Sequence, residues 1–576
     1  MAKTAIFQTA QRLTSPDWKV PRDSERTYGI GIEVKTIYIW KTGLDARGYT
    51  NGLFGTNNIG RLAGSNIILL LQEIRNRVSH ARESSVYIGG ATAIRWRRGR
   101  VSCLPLPPGP KGRLFTGVRD RIPSSPWRKY AQWAAEFQTN VLYFRVYNKD
   151  YVVLNDYQSV HDLLDKRAAI YSDRPKAWMF FELCAREKAV FNISATNPRH
   201  AQYRKLLQTR LGSKAIPQTH RVLLDESEKM VDAMTSNPSD FVSHIRRNSV
   251  AVIMKIAYGY EVTSGKDHFI DVAEECAKIS GLAMAPGRWL VDYYPILRYL
   301  PSWFPLAGFR RQAEKWKRRL ESLSDEPHQW VKAQMRSGDF TESFTSKLLQ
   351  PEGGKTVTEA EDDLIKWCAG ALYVGATDTT IAAMISFTLL MALYPDAQRK
   401  AQIEIDEVLG SNGAHLPEIS ELRRLPYLHA ILKEVLRYAP VANIALPHKV
   451  IREDEYQGFR IPKDATVIAN VWAIMHDPAL YPNPTEFDPD RFMRGNDTQP
   501  QLSSRRKRVD TINPDPTIFA FGFGRRSCPG IQFAETSLLL CMARILASAE
   551  IRLPPAAPAK PIVEFTSGIT RLDTVF

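Results

Sequence analysis

Phe521-Gly522-Phe523-Gly524-Arg525-Arg526-Ser527-Cys528-Pro529-Gly530 sets one cysteine in a glycine-rich, basic loop, and an apolar stretch with helical spacing begins at Ile531. Gly522, Gly524 and Gly530 are expected to take backbone angles closed to other residues and to leave room for a flat ligand. Free N–H groups in such a loop can point at sulfur and stabilise negative charge on it. Pro529 biases Cys528 away from helical geometry, so the cysteine falls just outside the helix that follows. The positive end of that helix lowers the pKa of a nearby thiol. Arg526, two residues before the sulfur, is placed to neutralise a carboxylate on a bound ligand. The alternative is a buried free cysteine beside a turn. The basic, glycine-rich setting favours a thiolate that holds a metal.

The segment resembles the haem-binding loop of the cytochrome P-450 family, Phe-x-x-Gly-x-Arg-x-Cys-x-Gly. All five fixed positions match: Phe521, Gly524, Arg526, Cys528 and Gly530. The resemblance implies haem b with Cys528 as axial thiolate ligand to its iron. It also implies a mainly α fold with a small β-rich part, the haem lying between a long central helix and the cysteine loop.

The 576 residues are 44% hydrophobic and 24% charged, enough for a large globular core. Six cysteines are widely spaced with no CxxC pair, which argues against a disulfide framework or a zinc site and fits a reducing compartment. Net charge is +16, and the first 100 residues alone hold 16 Lys and Arg against 7 Asp and Glu. That bias favours an anionic membrane or an acidic protein partner. No nucleic-acid motif accompanies it, so nucleic acid is not an expected partner.

Two regions follow from this pattern. Residues 1–103 are polar, basic and weakly periodic. Their longest apolar run, Ile67–Leu71, is far short of the ~20 residues that span a bilayer. The basic cluster Arg95–Arg100 and the proline-rich connector Leu104–Gly112 come next, the latter expected to be stiff and extended. Microsomal family members place an anchor, a basic cluster and a proline hinge in that order. Here no clear transmembrane helix is visible, so an atypical segment is expected, of the kind an alternative splice or a misplaced gene boundary produces. Residues 104–576 read as one haem-thiolate catalytic domain. Strand-like pieces stand at Val141–Val146, Tyr151–Leu154, Val450–Ile451 and Thr466–Ala469. A polar insert from Arg494 to about Asp515, with Arg505–Arg508, reads as a solvated loop. Leu282–Pro305 interleaves aromatics and leucines with three charges, which suits a membrane interface or an entrance lid.

A helical pattern over Leu425–Ala439 puts Leu425, Leu428, Ile431, Leu432, Val435 and Leu436 on one face, with Glu434 and Arg437 spaced to pair. They match the family's Glu-x-x-Arg, and Arg491 in Phe487–Phe492 is similar to its further arginine. The resemblance implies a buried structural cluster. Glu421 and Arg424 form a second copy of the spacing, set aside because it is not mid-helix.

A longer helical pattern runs from about Thr358 to Tyr394 and contains Gly375-Ala376-Thr377-Asp378-Thr379-Thr380. Glycine and threonine are poor mid-helix choices. Threonine hydroxyls and local 3₁₀ or π distortion can open a groove there. An acid beside an alcohol can relay protons: Asp378 from solvent, Thr379 towards the oxygen site. The segment resembles the family's oxygen-activation motif, with Ala376 standing where a second glycine is usual. Arg204 matches the arginine of the Trp-x-x-x-Arg pair that binds a haem propionate, while His200 takes the tryptophan's place. His448 is a second propionate candidate. Pro440–Leu446 implies an apolar pocket loop with one polar point, Asn443.

The likeness is greatest to fungal microsomal members of the O-methylsterigmatocystin oxidoreductase type, supported by Asn470–Pro478 and Gly458–Pro462. It implies a monooxygenase inserting one atom of O2 into a hydrophobic small molecule, in secondary metabolism or xenobiotic oxidation. An NADPH-dependent flavoprotein reductase would supply electrons at the cytosolic face of the endoplasmic reticulum membrane. The rivals are a peroxygenase or isomerase of the same fold, against which Asp378–Thr379 argues, and a non-enzymatic haem binder or inactive paralogue.

Overall fold

The computed structural model describes residues 103–553 apart from 213, 264–266, 352, 411–414 and 494–511, together with 564–565 and 574–575. The basic N-terminal segment through residue 102 and the run Arg505–Arg508 lie outside the described residues.

The longer elements are, in chain order, α1 (Pro126–Glu136), β1 (Val141–Val146), β2 (Lys149–Leu154), α2 (Pro198–Leu211), α3 (His220–Ser236), α4 (Phe241–Tyr258), α5 (His268–Met284), α6 (Gly308–Ser337), α7 (Glu359–Leu393), α8 (Pro395–Leu409), α9 (Pro426–Tyr438), β3 (His448–Lys449), β4 (Asp454–Tyr456), β5 (Phe459–Ile461), β6 (Thr466–Ala469), α10 (Ile531–Ser548), β7 (Glu564–Phe565) and β8 (Thr574–Val575). The fold is mainly helical with small sheets.

Helix α7 is the axis of the larger core. Thr358 starts it with a capping box: its hydroxyl accepts from Glu361 N–H at 3.3 Å, and Glu361 Oε2 accepts from Thr358 N–H at 2.9 Å. Pro395 follows its C-cap, Tyr394, and opens α8. Between these ends α7 is buried on nearly every side, which explains an apolar sequence without an amphipathic stripe. It packs on α4, α6, α9 and α10, and α10 packs in turn on α3, α8 and α9. Helices α7 and α10 are long and apolar enough to cross a membrane, but both are core helices here.

The main sheet has the order β1-β2-β6-β3, with β2 and β6 parallel and the other pairs antiparallel. Its alternation sends side chains into two separate cores. Leu142, Phe144, Val146 and Ile468 pack with Trp133 of α1 and with Tyr293. Val141, Val152, Leu154 and Val467 face the other way, onto Phe519 and Phe523, which lead into the cysteine loop. The sheet therefore holds that loop from behind. The proline-rich connector is docked along the sheets: Tyr143 N–H donates to Pro108 O at 3.0 Å and Arg460 N–H to Pro105 O at 2.8 Å.

Two expectations are corrected. The strand expected at Val450–Ile451 falls on His448–Lys449, which pair with Val467 and Thr466. Val450 and Ile451 leave that ladder to bond Ala465 O and Ile170 O. The 3₁₀ or π distortion expected near Gly375 is not present: α7 is α-helical throughout. Its threonines bond back one turn, Thr377 to Tyr373 O and Thr379 to Gly375 O, within an unbroken α-helix. The stretch Leu282–Pro305 is divided in its burial. Val291 and Tyr293 are buried, while Tyr294, Ile296 and Trp303 are exposed.

Candidate active site

The cysteine loop closes on itself through Cys528 N–H, which donates to Phe521 O at 2.7 Å. Gly530 N–H points at Cys528 Sγ from 3.4 Å, and α10 starts at the next residue. Cys528 thus sits outside the helix N-terminus with a backbone donor on its sulfur. Two of the three glycines do different work. Gly524, at φ +54°, is pressed so close to the Leu164 carbonyl that a Cβ would stand 2.2 Å from its oxygen. Gly530 corrects the expectation of an unusual backbone: its φ is −101°. A Cβ there would meet Leu211 Cδ1 at 3.4 Å and Cys528 Sγ at 3.9 Å, so its glycine keeps space beside the sulfur.

Around this loop the structure gathers cations. Arg526 donates to Ser172 O at 2.8 Å and Ile193 O at 2.5 Å. Arg204, on α2, donates to Ser527 O at 2.5 Å. Arg174 donates to Phe191 O at 3.0 Å, Leu446 O at 2.6 Å and Pro447 O at 2.7 Å. Burial and repulsion from Arg526 push Arg174 down to about 9. Burial lowers Arg526 to about 10, with Asp173 opposing and Arg204 adding to the shift. His448 is buried, with Nδ1–H donating to Tyr171 O at 2.8 Å. Burial first, then Arg174, holds its pKa at about 3. His200 is also buried and is held at about 4 by burial and then by Arg526, Arg204 and Arg174. His200 therefore belongs to this cluster despite replacing a tryptophan. Asp173 is the carboxylate that acts on Arg174 and Arg526, and it is already bound by Lys449 at 2.9 Å. Sequence reasoning missed Arg174. Its local signal is only Ser172-Asp173-Arg174-Pro175, and its neighbours come from distant segments.

On α7, Thr379 Oγ1 donates to Gly375 O at 2.8 Å and Thr377 Oγ1 to Tyr373 O at 2.7 Å. Burial pushes Asp378 up to about 6, with Arg246 lowering it and Glu274 raising it. Arg246 and Glu274, from α4 and α5, pair with each other at 2.9 Å. Asn443 is buried, and its Oδ1 has no hydrogen-bond partner among the described residues.

Glu434 and Arg437 are fully buried, and Arg491 nearly so. Glu434 accepts from Nε and Nη2 of Arg437 at 2.7 and 2.8 Å, from Arg491 Nε at 3.2 Å and from Asp488 N–H at 2.9 Å. The other copy of the spacing is different: Glu421 bonds Glu418 N–H and His415 instead.

A family profile, Cytochrome P-450, matches residues 107–574. Cytochrome P-450 monooxygenase claR of Ampulloclitocybe clavipes is 35% identical over 80% of this chain and 84% of its own length. Cytochrome P-450 monooxygenase 98 of Postia placenta is 35% identical over 80% and 86%. Tryptamine 4-monooxygenase of Psilocybe cyanescens is 35% identical over 84% and 92%. The chain belongs to the cytochrome P-450 family. It is an oxidoreductase that incorporates oxygen, uses haem b with a cysteine thiolate as axial ligand, and works with O2, a substrate and a redox partner.

The residues present fit that cofactor. Half-buried arginines that repel one another stand beside two neutral histidines, with Asp173 acting on Arg174 and Arg526, and the two propionates of haem would suit so cationic a surrounding. Among the described residues no three His, Cys, Asp or Glu side chains come together as a metal site. A metal held by Cys528 would take its other ligands from elsewhere, as haem iron does from its porphyrin.

Proposed function

We propose that Cys528 is the axial ligand of a monooxygenase that inserts one oxygen atom into a hydrophobic small molecule, in fungal secondary metabolism or xenobiotic oxidation. The half-buried cation cluster packed around the Cys528 loop carries this assignment. Bound haem supplies the oxygen chemistry, and thiolate ligation favours O–O cleavage.

The chain's own residues do the rest. Arg526, Arg204 and Arg174 would hold and neutralise the haem propionates, with His448 and His200 beside them. Phe521, Gly524 and Gly530 shape the loop, and the Gly530 N–H moderates the charge on sulfur. Asp378, with its raised pKa, exchanges protons with the Arg246–Glu274 side of the molecule. Thr379 Oγ1, fixed on Gly375 O, passes them to the oxygen site. Val441, Ile444 and Ala445 make the loop around Asn443 apolar, which favours a greasy substrate with one polar contact.

An NADPH-dependent flavoprotein reductase is the proposed electron donor, at the cytosolic face of the endoplasmic reticulum membrane. Leu114, Phe115, Ile296 and Trp303 stay exposed, and their two segments meet where Arg119 Nε donates to Gly287 O at 3.0 Å. Such a surface suits a membrane interface. The test is a reduced, carbon-monoxide difference spectrum followed by turnover assays. A band near ~450 nm is expected, with product formation that requires NADPH, reductase and O2 together. Loss of neither the band nor turnover in Cys528→Ala would sink the assignment.

A further inference from the structure

A π-helical turn, His161–Lys166, packs against the cysteine loop. Single π turns are rare and frequently stand at functional sites. This one presents three kinds of contact to the loop at once. Leu163 and Leu164 pack in one cluster with Phe519 and Phe523, which lead into the loop. The Leu164 carbonyl lies so close to Gly524 that it leaves no room for a Cβ there. The Asp165 carboxylate accepts from Gly524 N–H at 2.6 Å, a charge-assisted bond between residues far apart in the chain. Gly524 bears on the cysteine because it starts a 3₁₀ turn, Gly524–Arg526. Its carbonyl accepts from Ser527 N–H at 3.3 Å, and Ser527 is the residue before Cys528.

The carboxylate is itself oriented. His161, one turn earlier, donates from Nδ1 to Asp165 Oδ2 at 3.2 Å. Its ring stacks on Tyr157 with centroids 5.3 Å apart, and Tyr157 meets the Phe519 ring edge-on at 5.4 Å. A circuit therefore runs from Phe519, ahead of the loop, through Tyr157, His161 and Asp165 to Gly524 within it. Asp162, on the same π turn, has a different set of partners. It accepts from Gln158 Nε2 and Lys166 Nζ at 2.8 Å and from Tyr456 O–H at 3.0 Å. Among the described residues it bonds nothing in the cysteine loop.

We propose that Asp165, oriented by His161, is a positioning residue for the axial thiolate. By pinning Gly524 N–H it keeps the loop in the shape that presents Cys528 as a ligand. This inference rests on the haem-thiolate assignment.

The test follows the decay of the reduced, carbon-monoxide band near ~450 nm in haem-loaded protein. Asp165→Leu removes the acceptor, and its band is expected to decay about tenfold faster than that of the unaltered protein. Asp165→Asn keeps an amide oxygen for Gly524 N–H and should stay within about threefold. His161→Phe keeps a ring on Tyr157 but releases the carboxylate, and should fall between the two. Asp162→Leu is the control: melts of the loaded samples should show lost stability, yet its band should decay within about twofold of the unaltered rate. Equal decay in Asp162→Leu and Asp165→Leu, or an unchanged rate in Asp165→Leu, overturns the inference. Decay in Asp165→Asn as fast as in Asp165→Leu overturns it too. If Asp165→Leu takes up no haem, normal loading of Asp162→Leu supports the positioning role and failure of both variants overturns it. Absence of the band in the unaltered protein overturns the assignment beneath it instead.

Discussion

The Arg437 guanidinium has all five of its N–H groups matched to acceptors, with Glu434 taking two of them at 2.7 and 2.8 Å. The other three go to the carbonyls of Met475, Pro484 and Glu486. This pair joins α9 to the chain that leads from β6 towards the cysteine loop. It frames the site without touching ligand.

Removing one partner leaves a buried charge without compensation. Glu434→Ala is expected to cost about 3–5 kcal/mol and to give protein without incorporated haem. Denaturant melts and haem content per chain check this. Arg437→Lys should be nearly as damaging, because an ammonium cannot reproduce the planar set of five donors. A normal haem spectrum from either variant would contradict the structural role.

Two loop glycines separate by mechanism. Gly524→Ala is expected to destabilise the fold by about 2–3 kcal/mol, since positive φ and the close Leu164 carbonyl both resist a side chain. Gly530→Ala has an allowed backbone and should stay within about 1 kcal/mol in the haem-free protein. Its methyl would lie beside the sulfur, so haem uptake should fall where stability does not.

Burial raises the Asp378 carboxyl from its ordinary 3.8 to about 6. Between those values the folded chain binds more protons than the unfolded one, so stability falls as pH rises through that window, by up to about 2–3 kcal/mol. Asp378→Asn should remove that slope in melts run at about pH 4 and pH 7. It should also cut turnover by about 10²–10⁴-fold, with the carbon-monoxide band retained. Retention of the slope in the variant would place the titration elsewhere.

Arg204→Leu distinguishes cofactor binding from packing. Losing one charged hydrogen bond to a propionate should weaken haem binding by about 1.5–3 kcal/mol. The haem-free protein should change less, because the substitution relieves repelling neighbours. Haem transfer to an excess of acceptor protein measures the first, and melts of the haem-free protein measure the second.

Much of this was legible because it is local. The capping box at Thr358 and Glu361, the proline after Tyr394 and the Leu428–Leu436 stripe all act within a turn or two, so α7 and α9 lie where their patterns place them. The misplaced strand at Val450–Ile451 shows the limit. β-branched residues mark a strand-like segment, but pairing with β6 decided its register. The absence of 3₁₀ or π turns at Gly375 has a similar cause: α7 is packed on nearly every side, and burial holds its α-helical ladder.

The sequence by itself determined the bounds of α7 and α9, the cysteine loop and the spacing of Glu434 with Arg437, because each depends on short-range geometry. Only the tertiary structure decided that Arg174 and His200 join the cation cluster, that Gly530 clears space where Gly524 bends the chain, and that Asp165 holds the Gly524 N–H. Those relations depend on burial and on contacts between segments far apart in the chain, and local pattern carries no information about either.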